Sequence, residues 1–190
     1  MRQVACDDEG IAAVSAILNS GGVAVIPTDT VYGLAAHPDF PDAVERLYAI
    51  KGREARKPIA LLAADVAAAT RFLGCDMPPG AEALATRHWP GALTLVLPVC
   101  GGGRFEGLRV PDHAWTRRLL AACGGVLRVT SANLSGRRPA TDAPAALAEV
   151  GLSADVVVDD GVSPGGMAST VLKIDASGAI AVLRQGPVVV

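Results

Sequence analysis

Aromatic residues are scarce in this chain, at 4% of 190 residues. That leaves little for a platform on which RNA bases would stack. The core must therefore be Ala, Val and Leu, within an apolar content of 51%. No apolar run reaches the ~18 residues that a membrane span needs. The start, MRQVACDDEG, has no long apolar stretch and turns acidic early, so no signal peptide is expected. Cys6, Cys75, Cys100 and Cys123 contain no Cys-x-x-Cys pair. A metal cluster and a disulfide framework are both disfavoured, and reduced thiols in a cytoplasmic protein are the expectation. His37, His88 and His113 lack metal-ligand spacing and read as surface or capping residues. There is no basic excess, the formal net charge being -2. A site for a polyanion must then be a local cluster of cations rather than a whole basic face. Also missing are the P-loop pattern G-x-x-x-x-G-K-[ST], the dinucleotide fingerprint G-x-G-x-x-G and the nucleophile elbow G-x-S-x-G.

What is present fits one domain or a tight pair of lobes, and residues 1–190 are expected to form a single catalytic domain. Asp7 or Asp8 caps a helix with Ile11, Val14, Ile17 and Leu18 on its apolar positions, ended by Gly21-Gly22. Further helices are predicted from Pro41 to about Ala49, near 65–73 and 79–88, over 113–123 and near 143–150. Strands are predicted at Val23–Ile26, Ile59–Ala63, Ala92–Val99, Leu108–Val110, Gly125–Thr130 and Val156–Val158. A closing pair at 170–174 and 179–184 turns at Ser177-Gly178. Gly161 to Gly166 reads as a mobile loop. The alternation is not a regular βαβ repeat, so the expected class is α/β (α+β) on a twisted mixed sheet with flanking helices.

Three groups of polar residues sit at element ends. Lys51-Gly52-Arg53 and Arg56-Lys57-Pro58 put four cations within seven residues, where a helix ends. A solvated basic turn would look the same. The functional reading is a phosphate clamp, with Arg as a bidentate fork, Lys as a movable charge and Gly52 letting backbone approach a ligand. Ser131 and Asn133 follow an apolar strand and share a face at period two. Ordinary turn chemistry explains either one alone, but ligands commonly bind at strand ends in sheet folds. Thr28, Asp29, Thr30 and Tyr32, within PTDTVYGL, follow another apolar strand. Arg109, Ser169 and Arg184 stand at three more strand ends.

These segments resemble the YrdC family of threonylcarbamoyl-AMP synthases, from about residue 10 to 187. The markers are PTDTVYGL, KGR followed by KP, HWPGALTLVL, LRVPDH, SANLSG, STV and LRQG. The resemblance implies a mixed sheet around a large, positively lined cavity. It also implies a nucleotidyltransferase reaction in which L-threonine, bicarbonate and ATP, with Mg2+, give threonylcarbamoyl-AMP and pyrophosphate. Other proteins would then transfer the threonylcarbamoyl group to tRNA. By motif, Thr30, Tyr32, Arg109 and Ser169 would hold L-threonine. Lys51, Arg53, Lys57, Ser131, Asn133 and Arg184 would hold ATP, with Lys51, Arg53, Ser131 and Asn133 closest to the chemistry. Some members carry a histidine after the KP segment, where this chain has Leu62.

A carbamate anion must be brought onto the α-phosphate of a polyanion in this reaction, so cations fixed in advance are required. A site that hydrogen-bonds the substrate hydroxyl rejects valine, which is what the hydroxyls of PTDTVYGL would achieve. Two rivals remain at this level. One is an RNA-binding or ribosome-maturation factor that uses the basic cavity as an RNA groove, with tight, strongly salt-dependent RNA binding and no ATP turnover. The other is a carbamoyl-adenylate-forming module like that of hydrogenase-maturation carbamoyltransferases.

Overall fold

The computed structural model describes residues 2–52, 58–101, 103–150 and 153–190. Arg53, Arg56 and Lys57 of the expected phosphate clamp lie outside the described residues. The described residues form ten strands and six helices. They are β1 (Arg2–Ala5), α1 (Asp8–Leu18), β2 (Val23–Ile26), β3 (Gly33–Ala36), α2 (Pro41–Lys51), β4 (Leu61–Ala63), α3 (Val66–Leu73) and α4 (Ala81–His88). There follow β5 (Leu93–Pro98), β6 (Phe105–Arg109), α5 (Ala114–Ala122), β7 (Val126–Ser131), α6 (Ala143–Val150), β8 (Val156–Asp159), β9 (Thr170–Ile174) and β10 (Ile180–Arg184). All ten strands join one mixed sheet in the order β1-β8-β2-β3-β7-β4-β6-β5-β9-β10. Parallel contacts (β1 with β8, β8 with β2, β4 with β6, β5 with β9) are interspersed with antiparallel ones.

Side chains alternate across a strand, so each strand feeds two layers. In β2, Val23 and Val25 pack with α2 and α6, while Ala24 and Ile26 pack with α1 and α5. This strand is buried on both faces, which is why it reads as a continuous apolar run. The other half of the sheet is built differently. Leu61, Leu93, Leu95, Leu97, Leu108, Leu172 and Ile174 point to the side covered by α3 and α4. Their neighbours Leu62, Thr94, Val96, Gly107, Arg109 and Val171 point the other way and line a cavity. The pairings Thr94 with Val171 and Leu62 with Arg109 keep those residues on one face. A one-residue slip would exchange the leucines for the polar set.

Caps set the helix positions. Asp7 accepts from the Gly10 amide at 2.8 Å and Asp65 from the Ala68 amide at 2.7 Å, each closing an N-terminus. Gly52 ends α2 in the left-handed region at φ 56°, which Gly adopts without a Cβ penalty. No described atom lies within 4 Å of where its Cβ would stand.

Two strands escape the sequence reading. β1 is polar and mostly exposed, and it exists because it pairs with β8. β3, Gly-Leu-Ala-Ala, lacks β-branched residues, yet it pairs antiparallel with β2 and β7. Residues 27–32 are therefore the loop of a hairpin. β6 starts at Phe105, three residues before the expected start, and β4 starts at Leu61 rather than Ile59. The 161–166 loop is packed at one point. A Cβ on Gly165 would come 2.6 Å from the Asp29 carbonyl, so only Gly fits against the hairpin loop there.

Candidate active site

A cavity of about 400 Å³ opens on the face of β4–β7, β5 and β9 that α3 and α4 do not cover. Thr28, Thr30, Tyr32, Arg109, Ser131, Ser169 and Arg184 all contribute to its lining. Residues that the sequence scatters from position 28 to position 184 thus share one space. Two guanidinium groups line it, and no carboxylate does among the described residues.

Thr28 organises the hairpin loop. Its hydroxyl donates to the Val31 carbonyl at 2.7 Å and accepts from the Thr30 and Val31 amides at 3.1 and 3.3 Å. Its single proton is then used, so in the 3.0 Å contact between the two hydroxyls Thr30 is the donor. Thr30 Oγ1 in turn accepts from Arg109 Nη1 at 2.8 Å. What Thr30 has left for a ligand is a lone pair: it is set up as an acceptor. From outside the loop, the Thr116 hydroxyl donates to the Pro27 carbonyl at 2.8 Å and fixes the loop to α5.

Arg109 is buried, with its side chain 7% exposed. Its Nε donates to the Gly91 carbonyl at 2.9 Å and its Nη2 donates to Asp29 Oδ1. Burial pulls its pKa down, Asp29 pushes it back up, and the nearby Arg184 charge lowers it further. It stays a guanidinium, since arginine does not deprotonate in proteins. Three of its five N–H groups are used inside the protein, which leaves two for a ligand carboxylate. The HWPG turn exists to bring Gly91 to this spot: the Gly91 amide also donates to the Val110 carbonyl at 2.9 Å.

Ser169 and Arg184 meet beside it. Arg184 Nε donates to the Ser169 carbonyl at 2.9 Å and Nη2 to the Ser169 hydroxyl at 3.1 Å. The resemblance assigned Arg184 to the nucleotide, but here it stands with Ser169, among the residues expected to hold threonine. The Ser169 hydroxyl also meets Thr94 Oγ1 at 2.8 Å. Thr94 was not a sequence candidate. Its signals are a polar residue in an otherwise apolar strand and its place within HWPGALTLVL.

Lys51 and Asn133 lie just outside the lining. Lys51, 3% exposed, turns its ammonium to the carbonyls of Ser131 and Asn133, the latter at 2.7 Å, and to Asn133 Oδ1 at 3.3 Å. Asn133 Nδ2 donates to the carbonyls of Leu134 and Arg137, both at 2.8 Å. The lysine thus ties the end of α2 to the loop after β7, with Ser131 between it and the cavity. Tyr32 contributes to the wall, but its hydroxyl donates to the Gly161 carbonyl at 2.8 Å and accepts from the Asp160 amide at 3.0 Å. It braces the 160–161 loop and has no proton left for a ligand. Leu62 lines the cavity beside Arg109, making that patch apolar.

One trio of potential metal ligands exists among the described residues: Cys6, His113 and Asp160, whose ligand atoms lie within 4.8 Å of one another. Sequence spacing could not show it, because three distant segments supply it. His113 Nε2 and Asp160 Oδ2 pair at 2.9 Å, and burial, with Asp160 next, pushes the Cys6 thiol up to about 12. Each group is engaged with another of the trio.

The fold and the cavity define a class: a mixed-sheet α/β domain with a cavity on one sheet face, walled by hydroxyl side chains and by Arg109 and Arg184. The chain belongs to the Sua5/YciO/YrdC family, whose model, described as "Telomere recombination", matches residues 16–186. It is 35% identical over 179 residues to a threonylcarbamoyl-AMP synthase of Bacillus subtilis, a match covering 90% of this chain and 51% of that protein. A threonylcarbamoyl-AMP synthase of Bos taurus is 31% identical over 192 residues, covering 94% of this chain and 68% of that protein. Among solved structures, Pyrococcus abyssi Sua5 complexed with L-threonine superposes with a TM-score of 0.87 at 30% identity, over 97% of this chain and 57% of that one. The chain thus spans about half the length of the Bacillus relative. No described helix is long and apolar enough to cross a membrane.

Proposed function

We propose that the chain is a threonylcarbamoyl-AMP synthase, a nucleotidyltransferase that supplies tRNA threonylcarbamoyladenosine modification. The observation that carries this reading is the convergence of Thr30, Arg109 and Ser169 in one cavity with Ser131. On this reading Thr30, Arg109 and Ser169 form an amino-acid sub-site and Ser131 belongs to a nucleotide sub-site of the same cavity. The names of the relatives support the same substrates, L-threonine, bicarbonate and ATP.

The reaction joins two steps. The threonine amine attacks bicarbonate and water leaves, giving a carbamate. A carbamate oxygen then bonds to the α-phosphorus of ATP while the bond to the β-phosphate oxygen breaks, releasing pyrophosphate. Arg109 would hold the threonine carboxylate through its two remaining N–H groups. Thr30, as an acceptor, would orient the amine or the substrate hydroxyl. Ser131 and Thr130 would orient the nucleotide, with Lys51 and Asn133 as positioning residues behind them. Arg184 would add charge where two anions must meet. Arg53 and Lys57 are further candidates for the phosphates, on the sequence alone. The described lining offers hydroxyls but no carboxylate. Mg2+ would therefore arrive on the ATP phosphates, where it neutralises the triphosphate and the departing pyrophosphate. The partners proposed are the proteins that pass the threonylcarbamoyl group to tRNA, with at most weak RNA binding here, in the cytoplasm.

The test is to incubate the protein with ATP, Mg2+, bicarbonate and each of several amino acids, measuring pyrophosphate and the adenylate by mass. Product is expected only with threonine and bicarbonate together. Pyrophosphate formed with carbamoyl phosphate and no threonine would make it a carbamoyl-adenylate former. Tight, salt-dependent RNA binding without turnover would overturn the enzyme reading altogether.

A further inference from the structure

Thr94 lies on β5, and Ser169 directly precedes β9, the parallel neighbour of that strand; their hydroxyl oxygens are 2.8 Å apart, they are 6% and 5% exposed, and both line the cavity. The strands are locked in register here by the Thr170 amide, which donates to the Ala92 carbonyl at 3.0 Å. A Cβ on Gly107 would stand 3.6 Å from the Thr94 methyl. The methyl therefore faces the Gly107 side of the strand, and the hydroxyl is left facing Ser169. Val at this position would keep the same branch against Gly107.

Counting protons shows what the pair does. Arg184 Nη2 donates to Ser169 Oγ at 3.1 Å, and a guanidinium cannot accept. Two hydroxyls carry two protons, and one of these lies in the bond between them. The other has no acceptor among the described residues, though both side chains are buried. If Thr94 donates, both lone pairs of Ser169 are filled, by Arg184 and by Thr94, and the Ser169 proton is directed into the cavity. A donor polarised from two sides in this way is stronger than a lone serine. It calls for an anionic oxygen on the ligand.

We infer that Thr94 is a positioning residue for the amino-acid sub-site: it fixes the Ser169 hydroxyl as a donor to a carboxylate or carbamate oxygen of the substrate. This rests on the cavity being a threonine site, as proposed above. In this role Thr94 acts on the substrate through Ser169, so its removal should act on amino-acid binding far more than on ATP.

The test uses calorimetric titration of L-threonine into the whole protein, alongside steady-state kinetics and a thermal melt. Thr94→Val should weaken threonine binding about tenfold, the scale of one lost hydrogen bond in a buried site, with the KM for ATP within about twofold of the parent. Thr94→Ser, which keeps the hydroxyl, should bind within about twofold of the parent. In a Ser169→Ala background, Thr94→Val should cost nothing further, because the partner through which it acts is gone. If Thr94→Val melts early, Thr94→Ala compared with Thr94→Ser asks the same question. Equal binding by Thr94→Val and the parent would overturn the role of Thr94 and leave the functional reading standing. The same loss in both backgrounds would also overturn it, since Thr94 would not be acting through Ser169. A parent protein that neither binds nor turns over threonine would overturn the functional reading, and this inference with it.

Discussion

Replacing Thr30 with Val keeps the branched shape and removes one hydroxyl. In the structure that hydroxyl does two jobs at once. It accepts from Arg109 Nη1 at 2.8 Å and donates to Thr28 at 3.0 Å, in a residue 2% exposed. Thr30→Val therefore leaves a buried arginine N–H without its partner. Leaving a buried donor unsatisfied costs roughly 1–3 kcal/mol. At roughly 2–4 °C per kcal/mol for a chain of this size, the melting temperature should fall by several degrees. The Arg109 fork, with one prong released, also loses its aim at the ligand carboxylate. The KM for threonine should rise by about tenfold or more, while the KM for ATP moves far less. Thr30→Ser keeps the oxygen and should restore both properties. The assay is pyrophosphate release with threonine and ATP varied in turn, beside a thermal melt. A Thr30→Val protein with normal melting and an unchanged threonine KM would refute the reasoning, and the proton arrangement deduced for Thr28 and Thr30 would be wrong.

Asp29→Asn keeps an acceptor but removes the charge facing buried Arg109, and a charge left uncompensated should destabilise by about 3–5 kcal/mol at most, read by urea unfolding. Lys51→Met should lower stability as well as activity. It strips the carbonyls of Ser131 and Asn133 of a buried donor, so a drop in activity without any loss in the melt would refute the bracing role given to Lys51. Asp155 supplies a pH test. Burial alone would raise its pKa, but Arg46 (3.0 and 3.1 Å) and the Val23 amide (2.7 Å) outweigh it and hold the carboxyl below its ordinary value. Its stabilisation is therefore present above the unfolded value and lost as pH falls through the lowered folded value. Asp155→Asn should be less stable than the parent by about 1 kcal/mol at neutral pH, with the half-exposed ion pair discounted for solvent. The difference should vanish in acid unfolding well below pH 4, and a difference that persists there would refute the assignment.

Most of the fold was legible because its strands are apolar on both faces or strictly alternating. β2, β5, β7 and the closing pair announce themselves in this way. β1 and β3 did not, since neither has the composition of a strand, and only their pairing partners make them strands. The site was legible as a set of polar residues at strand ends, and the cavity does gather Thr30, Arg109, Ser131, Ser169 and Arg184. What the sequence could not show is which polar atoms are already used. Tyr32 spends its hydroxyl on Gly161 and Asp160, and Asn133 spends its carboxamide on its own loop. Lys51 reads as a clamp for phosphate, and the structure shows its ammonium also bonded to the backbone carbonyls of Ser131 and Asn133. The Lys51 and Tyr32 contacts join residues about 80 to 130 positions apart, which no local pattern encodes.

β10 ends the sheet. It pairs only with β9, all five of its residues are exposed, and its register is broken between Val182 and Arg184. Leu183 and Arg184 are nevertheless part of the cavity wall. A terminal strand held on one side is the first part of a sheet to fray, and its amides exchange with solvent sooner than those of the interior strands. The buried floor, with Arg109 clamped between Asp29, Thr30 and Gly91, is rigid by comparison. The pocket thus has one fixed wall and one that breathes. A ligand that engages Arg184 adds to the ties this residue already makes to Ser169, so occupancy should be visible as slowed amide exchange along residues 180–184.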